Sequence, residues 1–88
     1  MRVLLVEDHE PTLRAMAALL RQRGHEVDPF LTVDAALDAD LADVALIDLH
    51  LGERSGLEVV ARFASRMPCV MLTVSDEAGA LVGALGLG

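Results

Sequence analysis

Apolar positions along the chain fall into short unbroken runs separated by stripes at helical spacing. Residues 2–6 are a short, branched, apolar run that stops abruptly at Glu7-Asp8. A run without polar alternation reads as a strand buried on both faces. Leu13, Met16, Ala17 and Leu20 then recur at i, i+3, i+4 and i+7, which is one face of a helix. Pro11 suits the first turn of that helix, and Gly24 closes it after the cations Arg21 and Arg23. Residues 25–30 form a weaker strand, and Thr32 caps a short helix carrying Val33, Ala36 and Leu37.

The second half repeats the alternation. The apolar residues 44–47 end in Asp48, and a loop holding Gly52, Ser55 and Gly56 follows. Leu57, Val60, Ala61 and Ala64 keep helical spacing until Pro68 breaks it. Residues 69–73 form a fourth strand. Ser75 or Asp76 caps a last helical segment with Ala78, Leu81, Val82 and Leu85. Its glycines weaken it by up to about 1 kcal/mol each. The order βαβαβαβα predicts a parallel sheet covered by helices on both faces, as one α/β domain over residues 1–88.

Composition narrows the function. Hydrophobic residues make up 53% and charged ones 24% of 88 residues, a globular balance. Seven basic residues, all arginine, stand against 14 acidic ones, giving a net charge of −7. Such a domain, with Phe30 and Phe63 as its aromatics, is not expected to grip nucleic acid or an anionic membrane. Cys69 is alone, which excludes an internal disulfide and fits a reducing, cytoplasmic setting. The start turns acidic too early for a signal peptide, and the longest uncharged run is too short to span a bilayer. With no lysine a P-loop is excluded, and the glycines of residues 83–88 stand in the wrong order for a dinucleotide fingerprint.

In a parallel sheet, ligands bind beyond the carboxyl ends of the strands. Three of the four strands end there in functional groups: Glu7-Asp8, Asp48 and Thr73. Two carboxylates about 4 Å apart repel by about 1 kcal/mol in water and about 4 kcal/mol at an effective dielectric of 20. Gathering three therefore calls for a cation, and hard oxygen ligands suit Mg²⁺. An acidic pocket of that kind can present one carboxylate as a nucleophile to a phosphoryl donor, with Thr73 as a hydrogen-bonding hydroxyl.

Residues 3–8, 43–51, 55–60 and 70–73 together resemble the receiver domain of two-component response regulators, and the resemblance covers the whole chain. It implies a flavodoxin-like, doubly wound sheet of order 2-1-3-4-5. It implies that Asp48 is the phosphorylated aspartate, with Asp8 as a direct Mg²⁺ ligand and Glu7 as a water-mediated one. The main-chain carbonyl of His50 matches a third protein ligand, and Thr73 matches the switch hydroxyl. A sensor histidine kinase or phosphotransfer protein is the implied donor, and control of an output such as transcription the implied role. Three positions depart from the family pattern. Gly52 replaces the usual proline, which predicts a looser loop, and Val74 replaces a smaller residue. The lysine of a fifth strand has no counterpart, so the chain reads as a receiver truncated before that strand.

Such a truncation leaves the fourth strand as an open apolar edge, which invites a homodimer or segment swap through that strand and the last helix. This keeps a second reading open: a receiver-like interaction module without phosphotransfer. An enzyme of the haloacid dehalogenase type would want a second aspartate where His50 stands, so the chain is not expected to be an enzyme. Arg54 and Arg62 read as solvated surface residues, and Cys69 as a small buried hydrophobe.

Overall fold

The computed structural model describes residues 1–72. Strand β1 (Arg2–Val6) leads to helix α1 (Glu10–Gln22), β2 (Glu26–Phe30) and α2 (Val33–Leu37). Then come β3 (Val44–Asp48), two short strands, β4 (His50–Leu51) and β5 (Arg54–Ser55), helix α3 (Leu57–Phe63) and β6 (Cys69–Leu72). The four longer strands make one parallel sheet in the order β2-β1-β3-β6, while β4 and β5 pair as an antiparallel hairpin. The sheet order is the flavodoxin-like one expected for these four strands. Thr73, Val74 and the segment expected to be the last helix lie outside the described residues.

β1 runs through the middle, and its alternation divides the core. Leu4 and Val6 face one way, onto Val33 and Ala36 of α2 and Val59 and Phe63 of α3. Leu5 faces the other way, onto Leu13 and Ala17 of α1 and Val27 of β2. All three β1 residues are fully buried, each such side chain contributing about 1.5–3 kcal/mol. β2 lies at the sheet edge, where a proline costs no central ladder bond, and Pro29 pairs there with Leu5. The helix ends follow their local chemistry. Pro11 stands in the first turn of α1, and Gly24 follows its end at a φ of +89°. The Thr32 hydroxyl accepts from the Ala35 N–H at 3.1 Å, as a helix cap should.

Two features differ from the sequence expectation. The buried stripe of α3 is Val59 and Phe63, continued by Met67, whereas Leu57 is 59% exposed and Ala61 faces solvent. Two helical stripes were available in this stretch, and the one carrying Phe63 and Met67 buries more apolar surface than one ending in alanines. The second difference is the hairpin, which occupies what reads as plain loop. Gly52 and Glu53 form its two-residue turn, and of the pair only Gly52 has a positive φ, +67°. Glycine at the first turn position is the pattern of a type II′ hairpin. Gly56, just before α3, is needed for a different reason. A Cβ there would overlap the carbonyl oxygen of Asp48 and come within 2.9 Å of Ile47 Cγ2, so α3 starts hard against the end of β3.

Candidate metal and phosphoacceptor site

β1 and β3 are hydrogen-bonded neighbours, with Val6 opposite Ile47. The residues that follow, Glu7 and Asp48, therefore leave the sheet side by side at its carboxyl end. The ladder extends past both strands: Glu7 N–H donates to Phe30 O at 3.1 Å and Leu49 N–H to Leu72 O at 3.0 Å. Both acids are buried, Glu7 5% and Asp48 7% exposed, while Asp8 is exposed. One carboxylate oxygen from each of Glu7, Asp8 and Asp48 lies within 4.8 Å of the others. The three acids expected to meet do meet.

Their crowding has an electrostatic consequence. The Glu7 carboxyl is pushed up to about 7, first by burial, with the neighbouring Asp48 and Asp8 carboxylates adding to the shift. A hydrogen bond from the His9 N–H, 3.2 Å from Oε1, acts in the opposite direction. The donor set is all oxygen and strongly anionic, which fits a hard divalent cation better than zinc.

Every acid of the trio accepts a main-chain N–H. For Glu7 and Asp48 the donor is two residues on: His9 for Glu7, and His50, at a long 3.4 Å, for Asp48 Oδ1. For Asp8 the donor is distant in sequence, the Gly52 N–H, 2.9 Å from Oδ2. His50 opens β4 with its side chain exposed, so its main chain flanks Asp48. Gly52, where a looser loop is expected, joins β4 to β5 and donates its N–H to Asp8. A cleft of about 430 Å³ opens beside Asp8, between α2 and the hairpin, with Thr32, Leu51 and Arg54 in its wall.

Arg54 is more than a solvated residue. Its Nε and Nη2 donate to Glu58 of α3 at 2.8 Å each, and its Nη1 donates to Asp34 of α2 at 3.0 Å. The fork pins the hairpin between two helices. No single motif announces it, although Arg54 and Glu58 at i, i+4 are a recognisable pair. Arg62 stands over the Phe63 ring, 5.8 Å from its centroid. Cys69 is half-buried, and burial pushes its thiol up. Among the described residues no helix is long and apolar enough to cross a membrane.

Comparison with known proteins agrees with this architecture. The family described as response regulator receiver domain matches residues 3–88. The transcriptional regulatory protein DltR of Streptococcus agalactiae is 35% identical over 94 aligned positions, covering 100% of this chain and 42% of DltR. PhoP of Escherichia coli O157:H7, also a transcriptional regulatory protein, is 31% identical, covering 88% of this chain and 37% of PhoP. The chain thus spans less than half the length of these relatives. Among solved structures, a Burkholderia pseudomallei response regulator, crystallised with a phosphorylated aspartic acid, a calcium ion and citrate, superposes with a TM-score of 0.80. It is 29% identical, over 99% of this chain and 55% of that one. The N-terminal domain of a three-domain response regulator from Carboxydothermus hydrogenoformans gives 0.81 at 28% identity, over 88% of this chain and 67% of that one. The parallel sheet, the acids at its carboxyl end and these likenesses agree, and the chain belongs to the response regulator receiver domain family.

Proposed function

We propose that Asp48 accepts a phosphoryl group from a histidine kinase or phosphotransfer protein, and that Glu7, Asp8, Asp48 and the main-chain carbonyl of His50 hold the Mg²⁺ this requires. The observation that carries the reading is the meeting of three carboxylates, distant in the chain, within 4.8 Å at the end of the central strands. Asp48 is buried at the tip of β3, so its carboxylate is poorly solvated and held in one place for attack. An Asp48 oxygen forms the new bond to phosphorus as the donor's P–N or P–O bond breaks, leaving an acyl phosphate. When bound, Mg²⁺ would offset the charge of the phosphoryl oxygens. Thr73 is proposed as the hydroxyl that reads the new charge, which then biases a two-state switch. The second reading, an interaction module without phosphotransfer, gains nothing from a site whose three acids are present and together.

The relatives are transcriptional regulators, so the proposed output of the switch is transcription, with nucleic acid bound elsewhere than on this acidic domain. A cytoplasmic setting is part of the same proposal and agrees with the unpaired Cys69. Self-association through β6 is tested by light scattering over a dilution series, where the monomer mass at every concentration overturns it.

Acetyl phosphate with Mg²⁺ tests the chemistry. Intact mass is expected to show one added phosphoryl group on the parent chain and none on Asp48→Asn. Equal labelling of the two, or none on either, overturns the assignment.

A further inference from the structure

Glu7 and Asp48 are buried and take their N–H donors from two residues on. Asp8 is exposed, and its donor comes from 44 residues away. An exposed aspartate beside two other acids gains by turning toward water, since solvation improves and repulsion falls. Something must hold it in place, and the Gly52 N–H is placed to do so. It occupies Oδ2 of Asp8, and among the described residues no donor reaches Oδ1.

The donor is itself firmly carried. Leu51, the residue before it, is 5% exposed and belongs to the core beneath α2 and α3. Arg54, two residues after it, forks onto Asp34 and Glu58. Leu51 and Arg54 are also partners in the hairpin. The amide between them is thus fixed by a buried side chain on one flank and an ion-pair fork on the other. A proline, which the family resemblance would place at 52, has no N–H to give, so this contact comes with the glycine.

We propose that the main-chain N–H of Gly52 is a positioning group that holds Asp8 ready for a divalent cation, with the β4–β5 hairpin as its arm. The inference rests on the metal reading above. The hydrogen bond lowers the rotational freedom of Asp8 before the ion arrives and offsets part of the repulsion within the trio.

Removing only the donor tests it. The whole 88-residue chain is made by chemical synthesis with glycolic acid in place of Gly52, which turns the amide into an ester. Titration calorimetry with Mg²⁺ compares it with the parent and with Gly52→Ala, which keeps the N–H and has open space for its Cβ. Partners that orient metal ligands typically account for 10–100-fold in affinity, so the ester is expected to bind Mg²⁺ about tenfold more weakly than the parent. Gly52→Ala is expected to melt earlier, because its backbone is strained at positive φ, yet to keep its Mg²⁺ affinity within about twofold, well below that range. An ester that binds Mg²⁺ as well as the parent or better, or two variants losing affinity in step with their melting temperatures, overturns the proposal. Amide exchange followed by NMR in the metal-free chain is the second measurement, and it decides if the ester does not fold. Exchange at Gly52 is expected to be slow in the parent and faster in Asp8→Ala, and equal rates overturn the positioning role. A parent that binds no Mg²⁺ while Gly52 stays protected by Asp8 would sink the metal reading instead.

Discussion

The two faces of the sheet are built differently. Among the described residues, ten buried side chains form the core on the α2 and α3 face, from Leu4 and Val6 through Phe63 to Met67. On the α1 face there are four: Leu5, Leu13, Ala17 and Val27. The larger core also takes in Leu51 of the hairpin and so reaches the site, whereas α1 meets it only through its N-cap His9, whose N–H donates to Glu7. Among the described residues, one face therefore couples core packing to site geometry through a buried side chain, and the other does not.

The sharpest way to break this contrast is to hollow out the larger face. Phe63→Ala is expected to cost about 3–5 kcal/mol by cavity formation. A domain of this length has only about 4–13 kcal/mol in total, so urea titration should find the variant near its limit. A loss under about 1 kcal/mol would mean that Phe63 is not the centre of that core.

A matched pair of leucines sharpens the comparison. Leu51→Ala and Leu13→Ala each delete a buried leucine, 5% and 6% exposed, one on each face. Each is expected to lose about 2–5 kcal/mol of stability. Only Leu51→Ala should also weaken Mg²⁺ binding by the folded molecule, because its anchor carries Gly52. Calorimetry under conditions where both variants are folded reads the difference, and equal Mg²⁺ affinities would show that the larger face is not coupled to the site.

The acids above the sheet contribute a smaller, pH-dependent effect. Glu7 keeps its proton up to about 7 in the folded chain, against an ordinary value near 4.5. The native state therefore binds more protons across that window. The contribution is whole below about 4.5 and is lost as pH rises through about 7. Without divalent ions, the melting temperature of the parent should fall between pH 5 and pH 8 more than that of Glu7→Gln, and added Mg²⁺ should flatten the difference. Parallel curves for the two chains would contradict the burial of Glu7 beside Asp48.

The smallest expected effect is at Arg54. Its side chain is 43% exposed, so the fork to Asp34 and Glu58 is well screened. Arg54→Leu should lower the melting temperature only slightly, and less in high salt. A drop as large as that of Leu51→Ala would place as much of the hairpin's support in the fork as in Leu51.

Some of this was readable from residue order. Residues 2–6 and 44–47 are apolar runs that each stop at an acid, and a strand buried on both faces leaves little other choice. The α1 stripe and the Thr32 cap were also legible, because each depends on neighbours within one turn. Helix α3 was misphased because a seven-residue helix offers two stripes, and only the space beneath the sheet selects Val59 and Phe63 over Leu57 and Ala61. The hairpin escaped because two-residue strands carry no measurable alternation. It depends on Leu51 finding a core, with the Arg54 fork onto two helices as a smaller support.

Residue order by itself determined the succession of elements, the acids at their ends and the negative charge of the whole, since local backbone preference and hydrophobic spacing act within a few residues. Tertiary structure alone decided which stripe of α3 went inward and that Gly52 would reach Asp8 from 44 residues away. Those outcomes depend on the volume and partners that distant segments offer one another, and these exist only once the sheet has formed.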